Sequence, residues 1–288
     1  MMSKGAREAA EGAKTAVAIP DEQSRQPCQG GCSAAMQDSV ERFTSRVENY
    51  VKYRPHYPRA ILQMLATECG LTPESRIADV GAGPGQLAEL FLENGNLVYA
   101  IEPNPAMREA AEQALAGYPN ARILAGTAEA TPLPDHSVDF VTAGQAFHWF
   151  DRARARSEFA RILKPAGWVV IVWNQRETAT PLMAAYEALV RRYSPDYEKV
   201  DHRLITADIL REFFGPQGCQ KKNFPNFQDF DYAGLEGRLL SSSYAPPPGD
   251  PAYGPMLAAL RELFDAHQVN GRVRFDYTTC VYYGRLSS

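Results

Sequence analysis

Three alternating glycines are the feature of this chain whose residue types and spacing point most directly to chemistry. Gly81, Gly83 and Gly85 follow an apolar run, and Glu102 closes the next apolar run seventeen residues after Gly85. Glycine lets the backbone turn tightly and approach a ligand without a Cβ clash. An acidic side chain at the tip of the following strand can accept hydrogen bonds from two ribose hydroxyls. The pattern therefore predicts an adenosine site.

The spacing G-x-G-x-G differs by one residue from the G-x-G-x-x-G of dinucleotide-binding folds. In those folds a helix N-terminus faces a pyrophosphate. We therefore expect an adenosine ligand without a diphosphate, and S-adenosylmethionine (SAM) is the candidate cofactor. A nicotinamide-dependent oxidoreductase is an alternative, although a short-chain enzyme of that class would carry a Tyr-x-x-x-Lys pair, which no tyrosine here supplies.

A second candidate for chemistry is the segment from Gln145 to Trp149, which follows the fourth predicted strand. Open α/β sheets bind ligands at the carboxyl ends of their strands, so this segment should border the same site. Aromatic faces suit a cationic methyl donor, because the ring quadrupole attracts positive charge. Histidine commonly acts as a general base near neutral pH, which makes His148 a candidate. A structural role, in which His148 holds the loop through a backbone hydrogen bond, is an equally open alternative.

Aromatic and cationic residues upstream of the glycines form a third candidate group. Tyr50, Tyr53, Arg54 and Tyr57 lie where two prolines end a predicted helix, because each proline restrains the residue before it. We expect these side chains to form a lid over the site, with Arg54 as a candidate partner for a carboxylate. An aromatic surface cluster packed against the sheet is the alternative.

Strands and helices alternate from Arg76 onward and must position these residues. Near-continuous apolar runs predict five strands separated by helices. Such runs are typical of parallel strands buried on both faces, and the alternation predicts a doubly wound sheet. Two longer runs near the C-terminus predict two further strands, the last of them antiparallel. The expected strands are 76–81, 97–102, roughly 121–126, 138–143, 168–173, 223–232 and 272–283.

The predicted fold is an α/β, doubly wound, seven-stranded and mostly parallel sheet with one antiparallel C-terminal strand and an N-terminal helical lid. Residues 165–167, Pro-Ala-Gly, are expected to end a helix before the fifth strand. The N-terminal residues, rich in Ala, Gly, Gln, Ser and charge, are predicted to be disordered. The expected organisation is a disordered tail at 1–38 and one domain at 39–288, divided into a helical lid at 39–75, a cofactor-binding core at 76–193 and substrate-side elements at 194–288.

Composition and charge narrow the class of protein. The net charge of −4 over 288 residues gives no reason to expect a nucleic-acid partner, which demands a concentrated basic face. No apolar run reaches the roughly 18 residues of a membrane span, and the N-terminus lacks the apolar core of a signal peptide. We therefore expect a cytoplasmic protein with no membrane partner.

The cysteines suggest a reducing compartment and no metal site. Their number is odd and their spacing irregular, which suits free thiols better than a disulfide framework. Cys28 and Cys32 could form half of a zinc site, but no second Cys/His pair follows at zinc spacing. The five cysteines are Cys28, Cys32, Cys69, Cys219 and Cys280.

Several segments, in order and spacing, resemble a class I SAM-dependent methyltransferase. Within that superfamily the chain is similar to the small-molecule branch that includes trans-aconitate methyltransferases and their fungal relatives. Ala166 departs from the pattern, because the family usually has a second glycine there, and we expect no contact between Ala166 and the cofactor. The matching segments are 79–85, 101–107, 126–129 with 133–134, 138–151, 161–167, 50–58 and 241–244.

The resemblance implies roles for individual residues. Asp79 would orient the SAM ammonium, with a helix or loop cap as the alternative. Pro103 and Met107 would flank the adenine, and Ala128 and Glu129 would contact its edge; a core role for Met107 and a solvated Glu129 are the alternatives. The implied cofactor-binding set is Asp79, Gly81, Ala82, Gly83, Gly85, Gln86, Glu102, Pro103, Met107, Ala128, Glu129, Gln145 and Ala146, and the implied catalytic or substrate set is His148, Tyr50, Arg54 and Trp149.

The function implied by the resemblance is transfer of the SAM methyl group to a small-molecule acceptor by in-line displacement. We expect a carboxylate or another O-nucleophile as acceptor, and a monomer or homodimer as the assembly. A carboxylate is already nucleophilic, so the presence of His148 does not choose the acceptor. A SAM-binding regulatory protein with weak or no catalysis is the alternative from a different class.

Overall fold

A computed structural model describes residues 47–194, 197 and 206–286. In this part of the chain one sheet of seven strands has the order β3-β2-β1-β4-β5-β7-β6. The predicted tail at 1–38 and the start of the predicted lid lie outside the described residues. The strands are β1 (Arg76–Val80), β2 (Leu97–Ile101), β3 (Ala121–Leu124), β4 (Val138–Gly144), β5 (Leu163–Arg176), β6 (Gln220–Phe230) and β7 (Val273–Gly284).

Strand directions in the sheet agree with the prediction. Strands β1 to β5 are parallel to one another. Strand β7 is antiparallel to β5 on one side and to β6 on the other, so it alone runs against the other strands of this sheet. The predicted mostly parallel sheet with one antiparallel C-terminal strand is confirmed.

Helices cover both faces of the sheet, and the apolar strand residues divide between them. Val170 and Val172 pack in one hydrophobic cluster, while their neighbours Val169 and Ile171 pack in another. Alternate residues of a strand point to opposite faces, so both faces are buried, as continuous apolar runs predict. The helices are α1 (Val47–Tyr53), α2 (Ala60–Cys69), α3 (Gln86–Glu93), α4 (Pro105–Ala114), α5 (Arg152–Ile162), α6 (Pro181–Tyr193), α7 (Ala207–Phe214), α8 (Tyr232–Leu240) and α9 (Tyr253–His267).

Local sequence explains where several helices begin and end. Asn104 caps α4 by accepting hydrogen bonds from the Ala106 and Met107 amides, and Pro105 takes the first helical position. Helix α2 ends at Gly70, which has the left-handed backbone favoured at that position. Helix α7 was not expected from the sequence, although its start carries a signal, because Thr206 accepts a hydrogen bond from the Ile209 amide.

The junction between α5 and β5 differs from the prediction. The helix ends at Ile162, and the strand begins at once with Leu163 instead of after Gly167. Leu163 pairs with Val138, and the register then shifts before Trp168 pairs with Phe140. A bulge absorbs the Pro-Ala-Gly segment inside the strand, because the chain here is already held by sheet hydrogen bonds.

Ala166 lies at this bulge with a φ of 63°, in the left-handed region. A residue with a Cβ is strained there by roughly 1–2 kcal/mol, and glycine is not. This explains physically why a second glycine is usual at the position. The side chain of Ala166 is exposed.

Candidate functional site

A cavity opens at the carboxyl ends of β1, β2 and β4. Open α/β sheets bind ligands at this position. Most of the predicted cofactor-binding residues meet here. The lining consists of Tyr50, Gly81, Gly83, Glu102, Pro103, Asn104, Met107, Ala128, Glu129, Gly144, Gln145, Ala146, Trp149 and Phe150.

The glycine loop is held against the end of β2. The amides of Gly81 and Ala82 donate to the Ile101 carbonyl at 2.8 and 3.1 Å. Gly81 approaches the strand-four loop so closely that a Cβ on it would lie 2.7 Å from the Ala146 Cβ. Gly83 has a φ of 56°, and a Cβ there would meet nothing within 4 Å. Glycine at position 81 therefore permits close packing, while glycine at position 83 leaves the cavity wall open.

The remaining predicted loop residues face away from the cavity or support it. Gly85 has a φ of 93°, and a Cβ on it would lie 2.7 Å from Leu115. Gln86 begins α3, and its Nε2 donates to the Tyr50 carbonyl at 3.3 Å. Ala82, Gly85 and Gln86 therefore do not line the cavity and support it from behind.

Glu102 joins the two predicted motifs. Its Oε2 accepts a hydrogen bond from the Gly83 amide and its Oε1 from the Asn104 amide, both at 2.9 Å. Burial raises the pKa of this carboxyl, and the two amides and the nearby Arg108 oppose the rise. Each carboxylate oxygen keeps a further lone pair for a ligand donor.

Asn104 is a lining residue that the sequence reasoning did not include in the site. Its side chain caps α4 while its own amide holds Glu102 in place. Met107 follows one turn later, is buried and lines the cavity. The sequence did carry a signal for Asn104, because Asn-Pro at the start of a helix predicts a helix cap. This cap comes just after Glu102 and therefore lies at the strand end.

Glu129 lies in the cavity wall, but one of its oxygens already has a structural partner. Its Oε1 accepts from the Asp151 amide at 2.9 Å, and Asp151 in turn caps α5. Ala128 beside it is buried. The start of α5 therefore fixes one oxygen of the Glu129 carboxylate.

The loop after β4 turns sharply at Gln145, which has a φ of 56° and donates its amide to the Val172 carbonyl at 2.9 Å. Phe147 turns inward and packs edge to face on Phe213, with ring centroids 4.7 Å apart. Trp149 and Phe150 then return to the cavity wall, and Phe150 is a second lining residue absent from the sequence-based set. Gly144, which ends β4, is the third.

His148 lies apart from the cavity lining. Its ring is half-buried and lies 4.8 Å from the Trp149 ring, measured between centroids. His148 and Trp149 were both predicted to border the site, but only Trp149 of this pair lines the cavity.

Asp79 is fully buried behind the glycine loop and does not line the cavity. Burial raises its pKa to about 7, against hydrogen bonds from the Thr142 hydroxyl and the Ala88 backbone, and the nearby Glu102 adds to the rise. The predicted interaction of Asp79 with the ammonium group of a bound SAM would therefore be indirect, through another group.

The N-terminal residues reach the cavity through Tyr50. Tyr50 lines it, and the Arg54 guanidinium lies 4.9 Å from the centroid of the Tyr50 ring. Arg54 itself is outside the lining and donates to the Ser241 carbonyl at 2.9 Å. The following turn is fastened to the sheet, because Asn174 donates to the Pro55 carbonyl at 3.2 Å. Helix α1 thus contributes one wall.

Among the described residues, no group of three or more His, Cys, Asp or Glu side chains has a metal-binding arrangement. No helix among them is long and apolar enough to cross a membrane.

Comparison with known proteins points to one family. Residues 78–171 match the methyltransferase domain family. Over 145 residues the chain is 39% identical to an uncharacterized methyltransferase of Mycobacterium tuberculosis, covering 50% of this chain and 57% of that protein. Over 163 residues it is 32% identical to an uncharacterized methyltransferase-like protein of Schizosaccharomyces pombe, covering 56% of this chain and 62% of that protein. The chain thus spans about 60% of the length of these relatives.

A solved structure shares the fold. The candidate type II methyltransferase from Anaeromyxobacter dehalogenans superposes with a TM-score of 0.61 at 24% identity, covering 81% of this chain and 98% of that one. The YcgJ protein from Bacillus subtilis superposes with a TM-score of 0.51 at 20% identity, covering 80% and 100%.

Proposed function

Since the chain belongs to the class I SAM-dependent methyltransferases, with the family domain at residues 78–171, we propose that it transfers a methyl group from SAM to a small-molecule acceptor. The observation that carries this proposal is the cavity in which the glycine loop, Glu102 and the Gln145–Ala146 turn meet. The finer parts of the proposal are the residues that hold SAM, the class of acceptor and the role of His148.

The residues around the cavity fit SAM. Glu102 is buried at the wall with a free lone pair on each oxygen, which suits two ribose hydroxyls. Met107 and Pro103 offer apolar and thioether contacts to an adenine face. Gly83 leaves open space for the methionyl part. When bound, SAM supplies a methyl group activated by a sulfonium cation.

The chain's own contribution is alignment and exclusion of water. Gln145 and Ala146 bring backbone to the cavity, and Trp149, Phe150 and Tyr50 enclose it with aromatic rings, whose faces attract a cation. In-line displacement needs little more from the protein than this, because positioning and desolvation supply much of the acceleration.

The proposed acceptor is a carboxylate or another O-nucleophile. A carboxylate is nucleophilic without deprotonation, so this acceptor needs no base. The placement of His148 outside the cavity lining supports a structural role for it. Arg54, close to Tyr50, supports an anionic acceptor.

Organisation and assembly are part of the proposal. We propose that the described residues before β1 form a helical lid, that residues 76–193 form the cofactor-binding core and that the described residues after 193 form substrate-side elements, in a cytoplasmic monomer or homodimer. Cys69, Cys219 and Cys280 are free thiols, which supports a reducing compartment.

Calorimetric titration with SAM, S-adenosylhomocysteine and NADH tests the cofactor. We expect binding of the first two and none of NADH, and tight binding of NADH alone would overturn the proposal in favour of an oxidoreductase. A screen for S-adenosylhomocysteine release with carboxylic acids, phenols and amines tests catalysis. Cofactor binding without turnover on any class would favour the regulatory alternative.

A further inference from the structure

A cluster of buried and half-buried cationic and phenolic side chains adjoins the cavity beyond Tyr50. We refer to Arg54, Arg176, Arg238, Tyr186 and Tyr244 as the arginine cluster. Arg54 connects it to the cavity, because its guanidinium lies 4.9 Å from the centroid of the Tyr50 ring and Tyr50 lines the wall. Arg176 ends β5, and Arg238 lies on α8, so three separate elements bring the guanidiniums together.

Arg54 has hydrogen-bonding capacity that the described residues do not use. Its Nη2 donates to the Ser241 carbonyl at 2.9 Å, while its buried Nε has no hydrogen-bond partner among them. Burial lowers the pKa of Arg54, and the positive charge of Arg238 lowers it further. Both guanidiniums reach Ser241, since Arg54 donates to its carbonyl at 2.9 Å and Arg238 Nη1 lies 3.5 Å from its hydroxyl, so the two positive charges are close enough to repel each other.

Arg238 is 4% exposed and has only neutral partners among the described residues. Its Nε donates to the Tyr277 hydroxyl at 2.9 Å and its Nη1 to the Ser242 hydroxyl at 3.2 Å. No ion pair joins Arg54 or Arg238 to a carboxylate in that part of the chain.

Arg176 holds the acidic partner. It forms an ion pair with Glu187 and also donates to the Tyr244 hydroxyl at 3.2 Å. Its Nε and the hydroxyl of Tyr186 are buried without a hydrogen-bond partner within residues 47–194, 197 and 206–286. Glu187 therefore balances one guanidinium charge, and each unused group of the cluster can donate a hydrogen bond.

Tyr244 does not balance the other two charges at neutral pH. Burial raises the pKa of Tyr244, but the guanidiniums of Arg176, Arg238 and Arg54 outweigh that effect and lower the pKa to about 8. A phenol with this pKa is mostly protonated at pH 7. A buried charge without a counter-charge is unfavourable, so the cluster is suited to a bound anion.

We propose that Arg54 and Arg238 bind a carboxylate group of the methyl acceptor, which makes the acceptor a carboxylic acid. The inference rests on the proposed function and deepens it by naming the substrate class. A guanidinium presents a planar fork of N–H donors that matches the two oxygens of a carboxylate. Arg54 adjoins the cavity wall at Tyr50, so the anion would lie beside the cofactor site.

The test is calorimetric titration of carboxylates into protein saturated with S-adenosylhomocysteine, in a buffer free of carboxylate. The probes are succinate, glutarate and benzoate, and the matched neutral compounds are their amides. We expect at least one acid to bind and its amide not to bind. The variants are Arg54→Gln, Arg54→Lys, Arg238→Gln and, as a matched control, Arg59→Gln, because Arg59 is 79% exposed and pairs with Glu93.

Arg54→Gln and Arg238→Gln should each bind the carboxylate at least about tenfold more weakly than the unmodified protein, since charge-assisted hydrogen bonds are lost. Arg59→Gln should bind like the unmodified protein. If Arg238→Gln does not fold, the two Arg54 variants test the inference. Arg54→Lys keeps the positive charge and should bind the acid more tightly than Arg54→Gln. Unchanged affinity in Arg54→Gln, or equal binding of the amides, would overturn the inference.

The outcomes separate this inference from the proposed function. A protein that binds S-adenosylhomocysteine but none of the acids overturns the inference and leaves the proposed function standing. A protein that binds neither fails the proposed function itself.

Discussion

The Gly83 amide donates a hydrogen bond to Oε2 of Glu102 at 2.9 Å, across a sequence separation of nineteen residues. This contact joins the loop after β1 to the tip of β2, and the Asn104 amide holds the second oxygen of the same carboxylate. The glycine loop and the acid are therefore one hydrogen-bonded unit.

Glu102 is the residue that we propose to hold the ribose of SAM, so removal of its carboxylate should weaken binding of the cofactor. We expect Glu102→Ala to lower the affinity for SAM by about 10- to 100-fold, which corresponds to the roughly 1.5–3 kcal/mol of hydrogen bonds to a charged group. Calorimetric titration with SAM measures the change. Glu112→Ala is the control, because Glu112 is exposed on α4, and it should leave the affinity unchanged. Equal affinities for Glu102→Ala and the control would contradict this role.

Gly83 and Gly70 offer a matched pair that separates strain from ligand contact. Both have a left-handed backbone, and a Cβ on either would meet nothing within 4 Å. Alanine at each position should therefore reduce the free energy of unfolding by a similar amount, about 1–2 kcal/mol. Only Gly83 lines the cavity, so we expect Gly83→Ala alone to weaken SAM, by at least about tenfold.

Denaturant unfolding and calorimetric titration measure the two effects for this pair. Gly70 ends α2, away from the cavity lining. If Gly70→Ala weakened SAM as much as Gly83→Ala, the effect would come from lost stability and not from a contact at the loop.

Asp79 should make stability depend on pH. Its pKa is about 7 in the folded protein, because burial disfavours the carboxylate. Because the pKa is raised on folding, the folded protein favours the protonated Asp79 carboxyl. The contribution of this group to the free energy of unfolding is therefore fully present below the unfolded pKa of about 3.9 and is lost as pH rises through 7. Relative to the wild type, Asp79→Asn should gain stability between about pH 4 and pH 7, by up to roughly 4 kcal/mol.

Denaturant unfolding across this pH range checks the Asp79 prediction. Asp208→Asn is the control, since the Asp208 side chain is 84% exposed, and its stability should follow that of the wild type. Parallel curves for Asp79→Asn and the wild type would show that Asp79 is ionised in the folded protein over the whole range.

Tyr244 should ionise at a lower pH than an ordinary tyrosine. Burial opposes ionisation, but the three guanidiniums around it lower the pKa to about 8. A lowered folded pKa means that the phenolate adds stability above the unfolded value of about 10 and that this stability is lost as pH falls through 8. An ultraviolet titration of tyrosinate should show a transition near pH 8 that is absent from Tyr244→Phe.

The same titration links Tyr244 to the anion site. A carboxylate bound to Arg54 and Arg238 would partly neutralise them, so a saturating carboxylate should move the Tyr244 transition to higher pH. A transition that is unaffected by a carboxylate shown to bind would place that anion elsewhere.

Ala166 is strained and should be improved by glycine. Its φ of 63° suits glycine, and its side chain is exposed, so Ala166→Gly loses no packing. We expect a gain of about 0.5–1 kcal/mol in the free energy of unfolding. Ala153→Gly, on the exposed face of α5, is the matched control and should lose about 1 kcal/mol. A loss of stability in Ala166→Gly would disprove the strain.

The sequence alone predicted the sheet and the strand ends at which the cavity opens. Apolar periodicity and turn residues are local, so the strands, their directions and the glycine loop could be inferred from short segments. The family resemblance placed Glu102, Met107, Ala128 and Gln145 in one set, and they meet in one cavity. Helix α7 and the bulge at Ala166 were missed, because neighbouring strands and packing override local signals there.

Only the tertiary structure decided which side chains face the cavity and which charges lie unpaired. Asp79 and His148 belong to matching motifs, yet folding turns both away from the lining, because side-chain direction depends on what each element packs against. Arg54 and Arg238 are 184 residues apart in the sequence, and nothing local relates them. Their proximity, and the anion site that we propose from it, arise from the packing of α1 against α8.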